Sequence, residues 1–391
     1  MNNFVPELRF PEFKSPWKPA RAGDAFRNSK TKGEAGLPIY SVTQDRGLVR
    51  RDSLDRHMGA DAADESNLRA QPGDLVYNMM RMWQGAAGLA AEECMVSPAY
   101  VVLSPEPGVS SKFFDYWFQN QHMLHQLWAY SHGLTNDRLR LYYQDFAKIP
   151  LALPDQPEQE KIAAVFDATS CKITLLIDKK IALEDYKRWL MQQLFSRELR
   201  FTREDGNAFP DWEERRLGKM FSERSERGNP TAELLSVTMH NGVRRASDVA
   251  RAQEASIDRS NYKCVRPGDI AYNSMRMWQG ANGLSEYDGI VSPAYTVVTP
   301  SCGQIPKFWA YYFKFPPLVN QFRKYSQGLT KDTWNLKFPL FGEIKVMVPH
   351  PDEQRKIAAT LLAADAKINT LSQKISEMEA FKKGLLQKLF V

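Results

Sequence analysis

Along residues 158–195 and 353–390 apolar side chains return every three or four positions, a spacing that predicts two long amphipathic helices. In the first stretch one heptad position reads Ile162, Thr169, Leu176, Leu183 and Leu190. The position four residues further on reads Phe166, Ile173, Lys180, Lys187 and Leu194. The second stretch repeats the pattern with Ile357, Ala364, Leu371, Met378 and Leu385, and with Leu361, Ile368, Ile375, Lys382 and Leu389. About five heptads with mostly apolar seams predict a coiled coil. The lysines on the seam require either a slip of register or stems lying along it. Neither stretch holds a proline, and Gly384 is the lone glycine. PDQPE and PHPDE just upstream suit helix N-termini. Each helix would be about 57 Å long at 1.5 Å per residue. Packing inside one globule is the alternative, disfavoured by seams sustained beyond roughly 25 residues.

The rest of the chain alternates short strand signals with turns, and almost every feature occurs twice, 195 residues apart. PGDLVYNMMRMWQGAAGL begins at Pro72 and PGDIAYNSMRMWQGANGL at Pro267. The same offset relates Val96 to Val291 in the VSPAY segments, Gly133 to Gly328 in the GLT segments, Glu158 to Glu353, and Trp17 to Trp212. The Pro-Gly-Asp turns lead into strands at 75–78 and 270–273; further strands are expected at 101–103 and 296–299, and aromatic-rich helices at 113–130 and 308–325. This is a duplication, and two copies are too few for a solenoid. The predicted fold is α+β: two similar lobes related by a pseudo-dyad, held apart by two long helices that form an antiparallel coiled coil. The expected boundaries are 1–152 for the first lobe, 153–198 for its helical spacer, 199–347 for the second lobe and 348–391 for the second spacer.

At 391 residues, with 43% hydrophobic and 25% charged, the chain can form two full cores. It has no apolar run long enough for a membrane span and no secretory leader at its start. Four cysteines without CxxC spacing complete the expectation of a cytoplasmic protein. The net charge of +6 permits a polyanionic partner without requiring one. Residues 1–150 hold 17 basic and 17 acidic side chains, and residues 207–350 hold 19 and 14, so any grip on nucleic acid must be local or shared with partners.

The duplication also tests for catalysis, because chemistry carried by both repeats should occupy matched positions. No histidine has a histidine 195 residues away: His57 faces Ala252, His122 Pro317, His125 Asn320, His132 Gln327, His240 Asp45 and His350 Asp155. Cys94 and Cys171 face Gly289 and Ala366. A repeated zinc or histidine-based catalytic site is not expected on that ground. No phosphate-binding glycine loop and no Asn-Pro-Pro-aromatic or Asp-Pro-Pro-aromatic methyltransferase motif is present. Asp74 and Asp269, and Glu158 and Glu353, do match, but turns and helix starts account for them. The chain reads as a non-catalytic binder without a metal or cofactor of its own.

The most identical segments run from Tyr77 to Ala86 and from Tyr272 to Ala281. Asn78, Arg81, Trp83 and Gln84, with Asn273, Arg276, Trp278 and Gln279, are the candidate DNA-binding residues. Asn and Gln can pair with adenine and Arg with guanine, while Trp supplies a flat apolar face. The alternative is that the tryptophans are core aromatics buttressed by the arginines. Ser131 and Thr135, with Ser326 and Thr330, form a second polar loop that either offers hydroxyls and N–H groups to phosphate or only turns the chain after a helix.

LRFPEF at 8–13, LRF at 199–201 with FPDW at 209–212, the Pro-Gly-Asp turns, the Ser-x-Gly-Leu-Thr loops, and LPDQPEQEKIA and VPHPDEQRKIA opening the helices give the chain its resemblance. It resembles, over its full length, the specificity subunit of type I restriction–modification systems. The resemblance implies two target-recognition domains that read a bipartite double-stranded DNA site with a non-specific spacer. It implies helices that dock two methyltransferase subunits, which bind S-adenosylmethionine and methylate adenine, and restriction subunits that complete a translocating nuclease. In such a complex this chain has no activity of its own. Family members commonly carry two dissimilar recognition domains; the likeness of these two predicts related half-sites in inverted orientation. A two-lobed protein scaffold without DNA contact is the rival expectation.

Overall fold

The computed structural model describes residues 5–54, 66–135, 138–227, 230–239, 242–249 and 258–391. His57, Ala252 and His240, weighed above, lie outside the described residues. The chain forms two compact units: one contains residues 1–178 and 373–391, the other 179–372. Both are α+β, as the sequence predicts.

The first unit is built on an antiparallel sheet in the order Phe26–Ser29, Tyr100–Pro105, Leu75–Asn78 and Ala87–Leu89. The second has the same sheet, Phe221–Glu223, Tyr295–Pro300, Ile270–Asn273 and Asn282–Leu284. Register is preserved: Leu75 pairs with Leu103 and Ile270 with Val298. The Pro-Gly-Asp turns precede the strands as expected, with Asp74 and Asp269 buried. Each aspartate accepts a backbone N–H from three residues upstream, Gln71 and Arg266, at 2.9 Å. Asp269 is also clasped by Arg224 at 2.6 and 3.0 Å. Their roles are structural.

The aromatic stretches at 113–130 and 308–325 each fold as two helices rather than one. Ser111–Trp117 gives way to Gln121–Ala129, where the Asn120 side chain caps the second helix by accepting from His122 N and Met123 N. Pro306–Tyr312 gives way to Pro316–Tyr325, whose first positions are the Pro316-Pro317 pair. A capping side chain or an N-terminal proline starts a new helix at little cost, and apolar periodicity alone does not register it.

The long helices span Gln156–Ser196 and Pro351–Lys388. Every seam position of both heptads is buried or half-buried, the lysines included. In the first unit Phe166 near the start of one helix stacks on Phe390 beyond the end of the other, with ring centres 5.7 Å apart. In the second unit Leu190, Leu194 and Phe195 share a core with Ile357 and Leu361. The pairing within each unit is therefore antiparallel. Each unit's core roots the beginning of one helix and receives the end of the other. Phe390 packs on Trp117 and Phe113, and its counterpart Phe195 packs on Tyr312 and Phe308.

A further match closes the pattern. The Leu199 N–H bonds Gln193 O at 3.1 Å at the end of the first long helix, and the Leu8 N–H bonds Lys388 O at 2.8 Å at the end of the second. Gln193 and Lys388 are themselves 195 residues apart.

Candidate nucleic-acid interface

Two near-identical loops present the candidate residues. After strand Leu75–Asn78 the chain turns, forms a 3-10 turn at Met82–Gln84, and returns through Gly85 into Ala87–Leu89. The second unit does the same through Met277–Gln279 and Gly280. Arg81 has φ −130° and ψ 4°, and Arg276 φ −128° and ψ 5°. Gly85 and Gly280 take φ of 80° and 82°, left-handed conformations that fit glycine. Met82 and Met277 are fully buried and pin each loop to its core.

The loop's own hydrogen bonds decide which side chains stay free. Asn78 Oδ1 accepts from Met80 N at 2.9 Å, and Asn273 Oδ1 from Met275 N at 3.0 Å. The indole N–H of Trp83 donates to Met80 O at 3.2 Å, and that of Trp278 to Met275 O at 3.0 Å. The asparagines therefore build the turn. That bond takes one of the two lone pairs of each amide oxygen, so it does not preclude pairing of Asn78 or Asn273 with adenine. The tryptophans are half-buried, so they are neither core aromatics nor fully exposed platforms. Arg81 and Arg276 are exposed. The Arg81 guanidinium reaches Gln84 Oε1 at 3.3 Å, and that of Arg276 comes within 4.0 Å of Asp332. Gln84 is half-buried and Gln279 exposed.

The Ser-x-Gly-Leu-Thr segments lie beside these loops. Leu141 N bonds Met79 O, and Leu336 N bonds Ser274 O, both at 2.9 Å. The Ser131 hydroxyl donates to Leu127 O and the Ser326 hydroxyl to Phe322 O, each at 2.7 Å, closing the preceding helix. Their hydroxyl hydrogens are thus directed to the helix ends. Thr135 and Thr330 are exposed at the bend. The two candidate motifs of each repeat thus form one surface.

Several neighbours escaped the sequence reading because it considered only matched positions. In the second unit Trp334 stands edge-on to Trp278 at 5.3 Å, and Arg323 lies over Trp334 at 5.5 Å. In the first unit those places hold Leu139, which is buried, and Trp128, which is 46% exposed and stacked with His125 at 5.7 Å. The cores of the two surfaces are alike and their rims differ. Among the described residues no group of three or more His, Cys, Asp or Glu could hold a metal ion, and no helix is long and apolar enough to cross a membrane.

Residues 210–380 match the family model described as the type I restriction modification DNA specificity domain. The chain resembles type I specificity subunits. Similar solved structures extend over the whole chain. The HsdS subunit from Thermoanaerobacter tengcongensis superposes with a TM-score of 0.55 at 15% identity, over 98% of this chain and 99% of that one. The S subunit of a type I restriction–modification system from M. genitalium gives 0.55 at 17%, over 99% of both chains. A chain from a structure of type I restriction–modification complex assembly and conformational transition gives 0.58 at 14%, over 97% and 99%. At these identities the likeness establishes a shared fold. Against curated proteins the chain finds no match.

Proposed function

We propose that this chain is the DNA-reading, non-catalytic subunit of a type I restriction–modification complex, recognising a bipartite duplex target through its two loop surfaces. The observation that carries the reading is the repetition of one exposed arginine, in one backbone conformation, on a glycine-closed loop in each unit. An exposed guanidinium beside a Gln amide and a half-buried indole suits the edge of a base pair, guanine above all. Because the loop cores are alike and the rims differ, the two half-sites are related without being identical.

The long helices supply the second half of the proposal. Ile181, Tyr186 and Trp189 of the first are each about half exposed, at 51%, 51% and 52%. Within the second unit Lys179, Ala182, Leu183 and Tyr186 line a groove of about 670 Å³ against Lys367 and Leu371. Large apolar side chains on a helix far from the DNA-reading loops in sequence suit docking of partner proteins, here the methyltransferase subunits that would bind S-adenosylmethionine, and through them the restriction subunits.

Selection of duplexes from a random-sequence pool tests the reading, using the full chain with and without methyltransferase subunits. Recovery of one bipartite motif with related halves, bound with an affinity that falls as salt rises, is the expected result. Failure to enrich any sequence, with partner subunits still bound, would favour the protein scaffold.

A further inference from the structure

Leu134 and Leu329, 195 residues apart, are 94% and 102% exposed. No other large hydrophobic among the described residues exceeds the 63% of Leu175. A single exposed leucine is ordinary. Two at one repeated position, each lifted almost wholly into solvent by a braced hairpin, are not.

The bracing is specific. His132 and Arg140 exchange two backbone hydrogen bonds at 3.0 and 2.9 Å, and Gln327 and Asn335 do the same at 3.0 and 2.8 Å. The two arms run so close that a Cβ on Gly133 would lie 2.5 Å from Arg138 O, and one on Gly328 2.5 Å from Thr333 O. Thr333 Oγ1 accepts from Thr330 N at 3.0 Å and donates to Thr330 O at 3.0 Å, locking the second tip. The charged residues described near the leucines in sequence are mostly cationic, with Asp332 the exposed acid in the second unit. Arg138 and Arg140 are exposed in the first unit, and Arg323, Lys324 and Lys331 in the second. A protein-docking patch would need contiguous apolar surface. A projecting apolar tip with cations near it in sequence, beside an arginine loop, fits a ligand that is anionic outside and apolar within.

We infer that Leu134 and Leu329 are wedges that enter the base stack of duplex DNA, one at each half-site, unstacking a base step while the neighbouring cations hold the flanking phosphates. The inference rests on the DNA-reading function proposed above and adds its mode. A wedge favours steps that unstack easily, so each half-site carries a pyrimidine–purine step at the leucine.

The test uses the full chain on duplexes it has itself selected from a random pool, with permanganate reporting unstacked thymines and gel mobility reporting bending. Leu134→Ala and Leu329→Ala remove side chains that pack on nothing, so thermal melting should match the parent. Each is expected to abolish thymine reactivity at one half-site only and to weaken binding about ten-fold. Leu329→Phe should retain both. Selected duplexes that stay straight and unreactive, or alanine variants that react and bind like the parent, would overturn the wedge and leave DNA reading standing. If no duplex is selected at all, DNA reading fails and the wedge falls with it.

Discussion

Arg9 clamps Glu158 with two parallel hydrogen bonds, Nε to Oε1 at 2.7 Å and Nη2 to Oε2 at 2.8 Å. The carboxylate sits in the first turn of the long helix and is only 2% exposed, so the guanidinium neutralises a charge that water cannot reach. Arg200 and Glu353 repeat the clamp at 3.1 and 2.9 Å, and there the Trp212 indole adds a third donor at 3.1 Å. The matching Trp17 makes no such bond. Arg9→Ala should therefore destabilise the first unit by about 3 kcal/mol. Arg200→Ala should cost the second unit less, since Glu353 keeps a donor. Hydrogen exchange followed separately in each unit checks both; equal losses would contradict the compensating role of Trp212.

Asp115 gives the first unit a pH dependence. Burial raises its carboxyl pKa to about 6, with the Lys382 ammonium opposing the shift and the Asp167 carboxylate adding to it. Lys112 bonds Asp167 at 2.9 Å, and the Tyr116 hydroxyl donates to the same carboxylate at 2.7 Å. An acid whose folded pKa lies above its unfolded value binds protons more tightly when folded, so stability falls as pH rises from about 4 to about 6 and is flat above. Asp115→Asn should remove that slope and stabilise the unit at pH 7 by on the order of 1–3 kcal/mol. Denaturant unfolding at pH 4, 5, 6 and 7 would show it.

Gly85 and Gly280 share a backbone conformation but not their surroundings. A Cβ on Gly85 would meet Leu124 Cδ2 at 3.1 Å and Phe118 O at 3.2 Å, whereas on Gly280 it would meet Val319 Cγ2 at 3.5 Å. Both alanine variants bear left-handed strain of about 1–2 kcal/mol. Gly85→Ala should lower the melting temperature further than Gly280→Ala, and the reverse order would mean that the crowding is relieved elsewhere.

Arg81→Ala and Arg276→Ala should each weaken DNA binding by about 1–3 kcal/mol and relax sequence preference at one half-site. Competition binding with duplexes altered in one half at a time measures this. A uniform loss on all sequences would assign these arginines to phosphate.

A fragment of residues 1–195 should dimerise. In the full chain Phe390 fills the place beside Phe113, Trp117 and Phe166 in the first unit. The fragment carries the matching Phe195, which a second copy can insert there. Sedimentation should give a dimer, and Phe195→Ala in the fragment should give mostly monomer. A folded monomer from the parent fragment would refute the equivalence of the two aromatic seats.

Both long helices and the strands after the Pro-Gly-Asp turns were legible because period and turn chemistry are local properties of the chain. The seam lysines were ambiguous from sequence and became clear only with their partners. Lys187 bonds Asp365 at 2.5 Å beneath Tyr311, and Lys382 lies over Tyr116 at 5.4 Å. The arginine–glutamate clamps were missed because Arg9 and Arg200 lie 191 residues apart, off the main offset of 195, and so failed the matched-position test. Asn78 and Asn273 are the opposite case. Their repetition builds a turn that both loops need, and a sequence cannot show that the amide oxygen also accepts a backbone N–H.

The bond from Leu8 N to Lys388 O sets a non-covalent join where the first repeat runs on through unbroken peptide from Ser196 to Leu199. The end of each long helix is thus tied to the residues that open a lobe, once through space and once along the chain.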